Sequence, residues 1–248
     1  MRIGVTGADG LLGRALRRRG ASGWTRAELD VTDPRAAERA LARSRPDAVI
    51  FCAALTDVDA CARDPRARAV NVEAPAWFAA RVPTWLVSTN YVFDGPGPHA
   101  PDAGPAPINA YGRQKAEAED RVRAAGGHVL RTGWLFGPGG RGFASTLFDR
   151  LRAGPVQALR DWPVQPTWAD DVAEALLTLP EGTTHAIGAE EADWATVAAA
   201  ACALLGLPPE RVQPVEALGW GDRPEDARLA PATLPGWSER LPLLLKAR

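Results

Sequence analysis

In Tyr111-Gly112-Arg113-Gln114-Lys115 a phenol and an ammonium stand four residues apart. They open a predicted helix, after the turn-forming run Gly104-Pro105-Ala106-Pro107-Ile108-Asn109. On a helix, positions i and i+4 share one face, so both groups would point into one cleft. An unperturbed phenol, with a pKa of about 10, exchanges its proton poorly at neutral pH. A fixed positive charge nearby favours the phenolate and lowers that value, so the pair could give a proton to a reacting oxygen and take it back. Just upstream, Ser88-Thr89 end an apolar run. A hydroxyl there could share a substrate carbonyl with Tyr111, and two donors on one developing alkoxide act most strongly in the transition state.

The elements that would position these groups begin at the N-terminus. Arg2 to Thr6 reads as a buried strand, and Gly7-Ala8-Asp9-Gly10-Leu11-Leu12-Gly13 leads from it into a helix ending near Arg19. Gly7 permits the tight turn, Gly10 lets backbone approach a pyrophosphate, and Gly13 lets helix and strand pack closely. The free N–H groups of the helix then face phosphate, which makes Gly7, Asp9, Gly10, Leu11, Leu12 and Gly13 cofactor-binding candidates. Arg26 follows a second strand at 23–25 and could grip a 2′-phosphate through its guanidinium. This favours NADPH, with NADH as the alternative.

Asp33 caps a helix running to Ser44, and 47–52 reads as the third strand. Small Ala53 and Ala54 leave its carboxyl end, where ligands bind in open parallel sheets. A helix over 67–81, a fourth strand over 83–88, and helices over 143–151, 168–179 and 194–205 follow. The expected fold is α/β: a Rossmann-type doubly wound parallel sheet with a small, less regular C-terminal substrate lobe. The nucleotide domain would span 1–140 with returning segments near 155–190, and 141–248 would be mainly the substrate lobe. Trp162, Trp168, Trp194, Trp220 and Trp237 fall in that second part, where they pack a core or stack on a base.

A net charge of −1 gives no basic field for nucleic acid, and no apolar run reaches the ~18 residues of a membrane span. The Arg14, Arg17, Arg18, Arg19 run reads as a solvated helix end. The three cysteines lack metal-ligand spacing, and Met1 runs straight into a strand. Both features predict a reduced, cytoplasmic chain without a metal. His99, His128 and His185 are scattered and read as structural.

Taken together, Ser88-Thr89-Asn90-Tyr91-Val92-Phe93-Asp94-Gly95 and Asn109-Ala110-Tyr111-Gly112-Arg113-Gln114-Lys115 resemble the dTDP-4-dehydrorhamnose reductase family, an extended short-chain dehydrogenase/reductase branch acting on nucleotide sugars. Ala53 to Asp59, Val70-Asn71, Leu130 to Gly137, Pro166-Thr167, Asp170-Asp171 and Arg223-Pro224 continue the pattern over nearly the whole chain. The resemblance implies hydride transfer to the C4 ketone of a dTDP-6-deoxyhexulose by a monomer or homodimer. Tyr111 would donate the proton, Lys115 would lower its pKa and hold the nicotinamide ribose, and Thr89 would orient the ketone. Thr56, Val58, Asn90, Tyr91 and Trp134 would line the sugar site. Asp30 and Val31 would lie near the adenosine, with Ala53, Ala54 and Thr56 along the cofactor. Four departures concern the sugar side and its flank. Asn90 replaces the usual Asp, Phe51 the usual Asn, Asp161 to Thr167 alters an Asp-Gln-x-Gly-x-Pro-Thr element, and Asp226 ends an Arg-Pro-x-Asn element. Arg14-Ala15 stands where some members place a metal-linking glutamate. A related epimerase, or a non-catalytic NADP-binding regulatory subunit of the same fold, is the alternative. A 4,6-dehydratase is disfavoured because Asn90-Tyr91 stands where that class places Asp-Glu.

Overall fold

The computed structural model describes residues 1–217, 219 and 221–246, so Trp220 lies outside the described residues. The first half of the chain runs β1 (Ile3–Thr6), α1 (Leu11–Arg18), β2 (Ser22–Trp24), α2 (Pro34–Ser44), β3 (Ala48–Phe51), α3 (Val58–Cys61), α4 (Arg66–Arg68), α5 (Ala74–Ala79), β4 (Thr84–Thr89), α6 (Ala110–Ala124) and β5 (His128–Thr132). The second continues β6 (Leu135–Phe136), α7 (Phe143–Ala153), β7 (Val156–Leu159), β8 (Thr167–Trp168), α8 (Ala169–Leu177), β9 (Thr183–His185), α9 (Trp194–Leu204), β10 (Val212–Val215), α10 (Trp237–Arg240) and α11 (Leu243–Lys246).

Six of these strands form one sheet in the order β2-β1-β3-β4-β5-β9, parallel throughout. Helices cover both faces, so a central strand such as β3 is apolar and buried at every residue. The sheet grows from β1 to β2 on one side and from β1 to β3 on the other. That reversal opens a crevice beyond the carboxyl ends of the strands. The helix expected over 67–81 is interrupted by a π-helical turn, Ala69–Glu73, between α4 and α5. Pro75 follows it and lacks the N–H that would bond back to the carbonyl of Asn71.

The second body of apolar packing belongs to α7, α9 and the β7/β10 pair, with Phe148, Leu151, Trp168, Trp194, Val197 and Trp237 at its centre. Trp168, Trp194 and Trp237 are thus core residues. Between these elements, α8 returns to the first sheet, and its Val172, Ala173 and Leu176 pack with Leu12, Ala15 and Leu16 of α1. The arginines ending α1 are not simply solvated: Arg18 and Arg19 both bind Asp170 of α8. Each histidine meets a backbone group. His128 Nδ1 accepts from Gly182 N at 2.9 Å, His185 Nδ1 lies 2.9 Å from Ala230 O, and His99 Nε2 lies 3.3 Å from Asp226 O.

An ion pair is sealed between α6 and β5. Glu119 is 0% and Arg131 2% exposed. Arg131 Nη2 and Nε reach the Glu119 carboxylate at 2.6 and 3.0 Å. Ser88 Oγ donates to the same carboxylate at 2.5 Å, and Arg131 Nη1 donates to Pro101 O at 3.0 Å. Removing one partner strands a buried charge, which costs about 3–5 kcal/mol, whereas removing both is far milder. Arg131→Met should lose that much stability in urea denaturation, and Glu119→Leu/Arg131→Met should recover most of it. Equal losses in the two variants would contradict this account of the pair.

Candidate active site

Three chain features bring the predicted groups to the crevice. The first is the turn after β1, where Gly7 takes φ +67°. Gly10 N donates to Gly7 O at 2.9 Å, and Gly10 caps α1 without any side-chain hydrogen bond. The first-turn amides of α1 therefore keep their donors for a ligand. A Cβ on Gly13 would sit 2.2 Å from Gly7 O and 2.8 Å from Ala8 Cα. Backbone meets backbone there, and the loop has the form that accepts a dinucleotide pyrophosphate.

The second is the cap of α6. Asn109 Oδ1 accepts from Gly112 N at 2.8 Å, and a Cβ on Gly112 would lie 2.0 Å from Tyr91 O. The helix thus starts against the backbone that leaves β4, and Tyr111 comes beside Thr89. The third is the 3-10 turn Asn90–Val92, in which Thr89 Oγ1 accepts from Tyr91 N at 3.1 Å.

The resulting cavity, about 650 Å³, is lined by Gly7, Gly10, Leu11, Leu12 and Gly13 at one end. Thr89, Asn90, Tyr91, Tyr111 and Trp134 line it at the other, with Ala54, Thr56 and Val58 between. Lys115 lies behind this wall, 2% exposed, and its Nζ donates to Val87 O at 2.8 Å. Ala53 supports the wall: its N–H donates to Thr6 Oγ1 at 3.2 Å. Asp9, Arg26, Asp30 and Val31 lie outside the cavity. Asp9 and Arg26 are exposed. Asp30 binds Thr32 Oγ1 at 2.6 Å and Arg66 at 3.2 Å.

Two expectations need correction. Ser88 lines the cavity wall, but its hydroxyl is committed to Glu119, which leaves Thr89 as the strand-end hydroxyl beside Tyr111. Tyr111 does not have a lowered pKa: burial pushes its phenol well above 10, and only its hydrogen bond with Thr89 pulls the other way. Lys115 is itself buried, which brings its ammonium down to about 8, so desolvation outweighs the charge effect expected from i, i+4 spacing.

Several lining residues are not among the sequence's site candidates. Cys52 is one, with burial pushing its thiol up to about 12. Asp57, Thr132 and Leu135 are others. Arg223 had been noted only as part of a motif. It crosses from the C-terminal segment to pair with Asp59 at 3.1 Å, 164 residues away in the chain. Tyr91 was expected at the sugar site, but its state was not. Its hydroxyl is buried without a hydrogen-bond partner, and its ring meets those of Tyr111 and Trp134 edge to face. A second cavity of about 640 Å³, lined by Asp161, Trp162, Glu216, Gly221 and Glu225, meets the first at Arg223.

A parallel sheet with a glycine loop at its switch point, and Thr89 and Tyr111 facing one cavity across the strand ends, defines a dinucleotide-binding fold of the reductase type. The chain belongs to the family described as RmlD substrate binding domain, which it matches over residues 1–234. The dTDP-4-dehydrorhamnose reductase of Streptomyces griseus is 37% identical over 242 residues, spanning 86% of this chain and 79% of that protein. The dTDP-4-keto-6-deoxy-D-glucose reductase of Streptomyces niveus is 36% identical over 234 residues, spanning 85% and 81%. A crystal structure of dTDP-4-dehydrorhamnose reductase from Bacillus anthracis in complex with NADP superposes with TM-score 0.91 at 25% identity, covering 100% of this chain and 99% of that one. Among the described residues, no helix is long and apolar enough to cross a membrane.

The Gly13 contact makes a direct test. Gly13→Ala should push α1 away from the loop, weaken binding of NADPH at least tenfold, and cost about 1–3 kcal/mol as an overpacking change. Fluorescence titration with NADPH checks the first outcome and thermal unfolding the second.

Proposed function

We propose that this chain is an NADPH-dependent reductase of the C4 ketone of a dTDP-linked 6-deoxy-4-keto sugar, with NADH as a second cofactor. The observation that carries the reading is the convergence of Thr89 and Tyr111 on the cavity that the glycine loop closes at its other end. Family membership supports it. Gly7, Gly10, Leu11, Leu12 and Gly13 would hold NADPH, which would supply the hydride. Ala53, Ala54 and Thr56 flank its path, with Asp9, Asp30 and Val31 toward the adenosine and Arg26 on the 2′-phosphate.

Thr89 and Tyr111 hydrogen-bond the ketone oxygen, and Tyr111 gives it a proton as the C4 carbon is reduced. A phenol kept protonated by burial is the correct species for that direction, because the alkoxide formed is a stronger base than a phenolate. Lys115, behind Tyr111, supplies positive charge that stabilises the phenolate once the proton has left. Val58, Asn90, Tyr91 and Trp134 shape the sugar pocket, and the free Tyr91 hydroxyl is available to a sugar hydroxyl. Asn90 is held by its Nδ2 on Ala227 O at 3.0 Å. As a neutral amide it cannot fix a substrate cation or repel the diphosphate as a carboxylate would. Arg223 and the cavity holding Trp162 suit the diphosphate and thymine. The lobe of residues 141–248 would thus hold the sugar nucleotide, and residues 1–140 with segments near 155–190 the cofactor. The working form would be a cytoplasmic monomer or homodimer, with no nucleic-acid partner.

Tyr111→Phe should lower kcat by about 10²–10⁴-fold, the usual worth of general acid catalysis, while the NADPH dissociation constant stays within about twofold. NADPH oxidation with dTDP-4-keto-6-deoxy-L-mannose generated in situ is the assay, and unchanged turnover would sink the assignment. NADPH binding without turnover of any keto sugar would instead favour a regulatory subunit. Arg26→Ala should raise KM for NADPH about tenfold or more, the value of one charge-assisted contact, and leave KM for NADH unchanged.

A further inference from the structure

Along α6 the buried groups Tyr111, Lys115 and Glu119 follow one another at four-residue spacing, Tyr111 at the cavity wall and the other two closed off behind it. The first two have roles in the reaction proposed above; the third does not touch the cavity. Its carboxylate is gripped by Arg131 of β5, by Arg123 Nη1 at 3.3 Å, and by Ser88 of β4. Lys115 Nζ binds Val87 O, the residue before Ser88. The end of β4 is therefore tied to α6 at two successive residues, and Thr89 follows directly.

We propose that Glu119 is a positioning residue of this active site: its buried carboxylate, one turn beyond Lys115 on the same helix face, sets negative charge near that amine and ties β4 through Ser88 so that Thr89 meets Tyr111. The inference rests on the reductase reading for its catalytic meaning, but not for its electrostatic content. Burial alone works against a charged amine. The charged and titratable groups that act on Lys115 are Glu119 on its own helix, Cys52 just after β3, and Cys61 of α3. Glu119 is the largest of the influences that oppose the burial, and the two thiols are smaller. Arg131 and Arg123 bind the carboxylate from its far side and offset part of its charge.

The chain contains only two lysines, Lys115 and the exposed Lys246, so the ammonium can be followed directly. Lysine labelled with 13C at Cε gives two signals, and their pH titration in the intact protein reads the Lys115 midpoint without any substrate. The wild-type midpoint should fall near 8. In Glu119→Gln it should drop by half a pH unit or more, with the alkaline limb of the kcat profile moving the same way, and Glu119→Asp should restore part of the shift. If the single variant does not fold, Glu119→Leu/Arg131→Met removes both charges and should show the same downward shift. An unmoved midpoint in the folded variants, or a wild-type midpoint below about 7, overturns the proposal. Absence of keto-sugar turnover in the wild type would instead count against the reductase reading and leave the titration to decide this one.

Discussion

The structure depends on the place where α6 touches the backbone leaving β4. Gly112 lies so close to the Tyr91 carbonyl that no side chain fits between them. Tyr111, Lys115 and Glu119 on α6 are all referred to that contact, because a helix is rigid over two turns and its i, i+4 neighbours move together. The Asn109 cap fixes where the helix begins, and the contact at Gly112 fixes how near it lies. At the other end of the cavity Gly13 and Gly7 make the same arrangement for α1. The site is thus framed by two points at which main chain packs on main chain, and its width changes little with side-chain rotamers.

Electrostatics then take over from packing. In water the Tyr111–Lys115 spacing would lower the phenol's pKa. In the folded chain both groups are buried, and desolvation dominates both, raising one and lowering the other. The consequence is a site that rests as a neutral phenol beside an amine that gives up its proton easily.

What could be read from the sequence was what is local. The strand–glycine–helix unit, the Asp33 and Asn109 caps, the apolar strands and the Tyr111/Lys115 face all express short-range rules, and their boundaries moved by a residue or two. The distal cofactor candidates, Arg26, Asp30 and Val31, stand apart from the cavity: Arg26 rests on its place after the second strand and on guanidinium chemistry, Asp30 and Val31 on resemblance. The reach of Arg223 to Asp59 was not legible, since no local rule joins residues so far apart. Nor was the diversion of Ser88 to Glu119, because a serine looks the same whether its hydroxyl faces a ligand or a buried carboxylate. The tryptophans of the second half, which pack a core or stack on a base as far as sequence goes, stay unresolved for a related reason. Trp162 lines a cavity while Trp168, Trp194 and Trp237 fill a core, and only the assembled lobe separates the two cases.

The Asp59–Arg223 pair spans the rim where the two cavities meet, and its arginine is mostly shielded from solvent. An anion arriving at Arg223 does not find a bare cation. It must take the place of a carboxylate already seated there, and Asp59 must return to water. Association there is an exchange of one negative partner for another, with little net change in paired charge. Ionic strength should therefore weigh lightly on the encounter, and a simple anion that offers charge without a fitted sugar or base has nothing extra with which to displace Asp59.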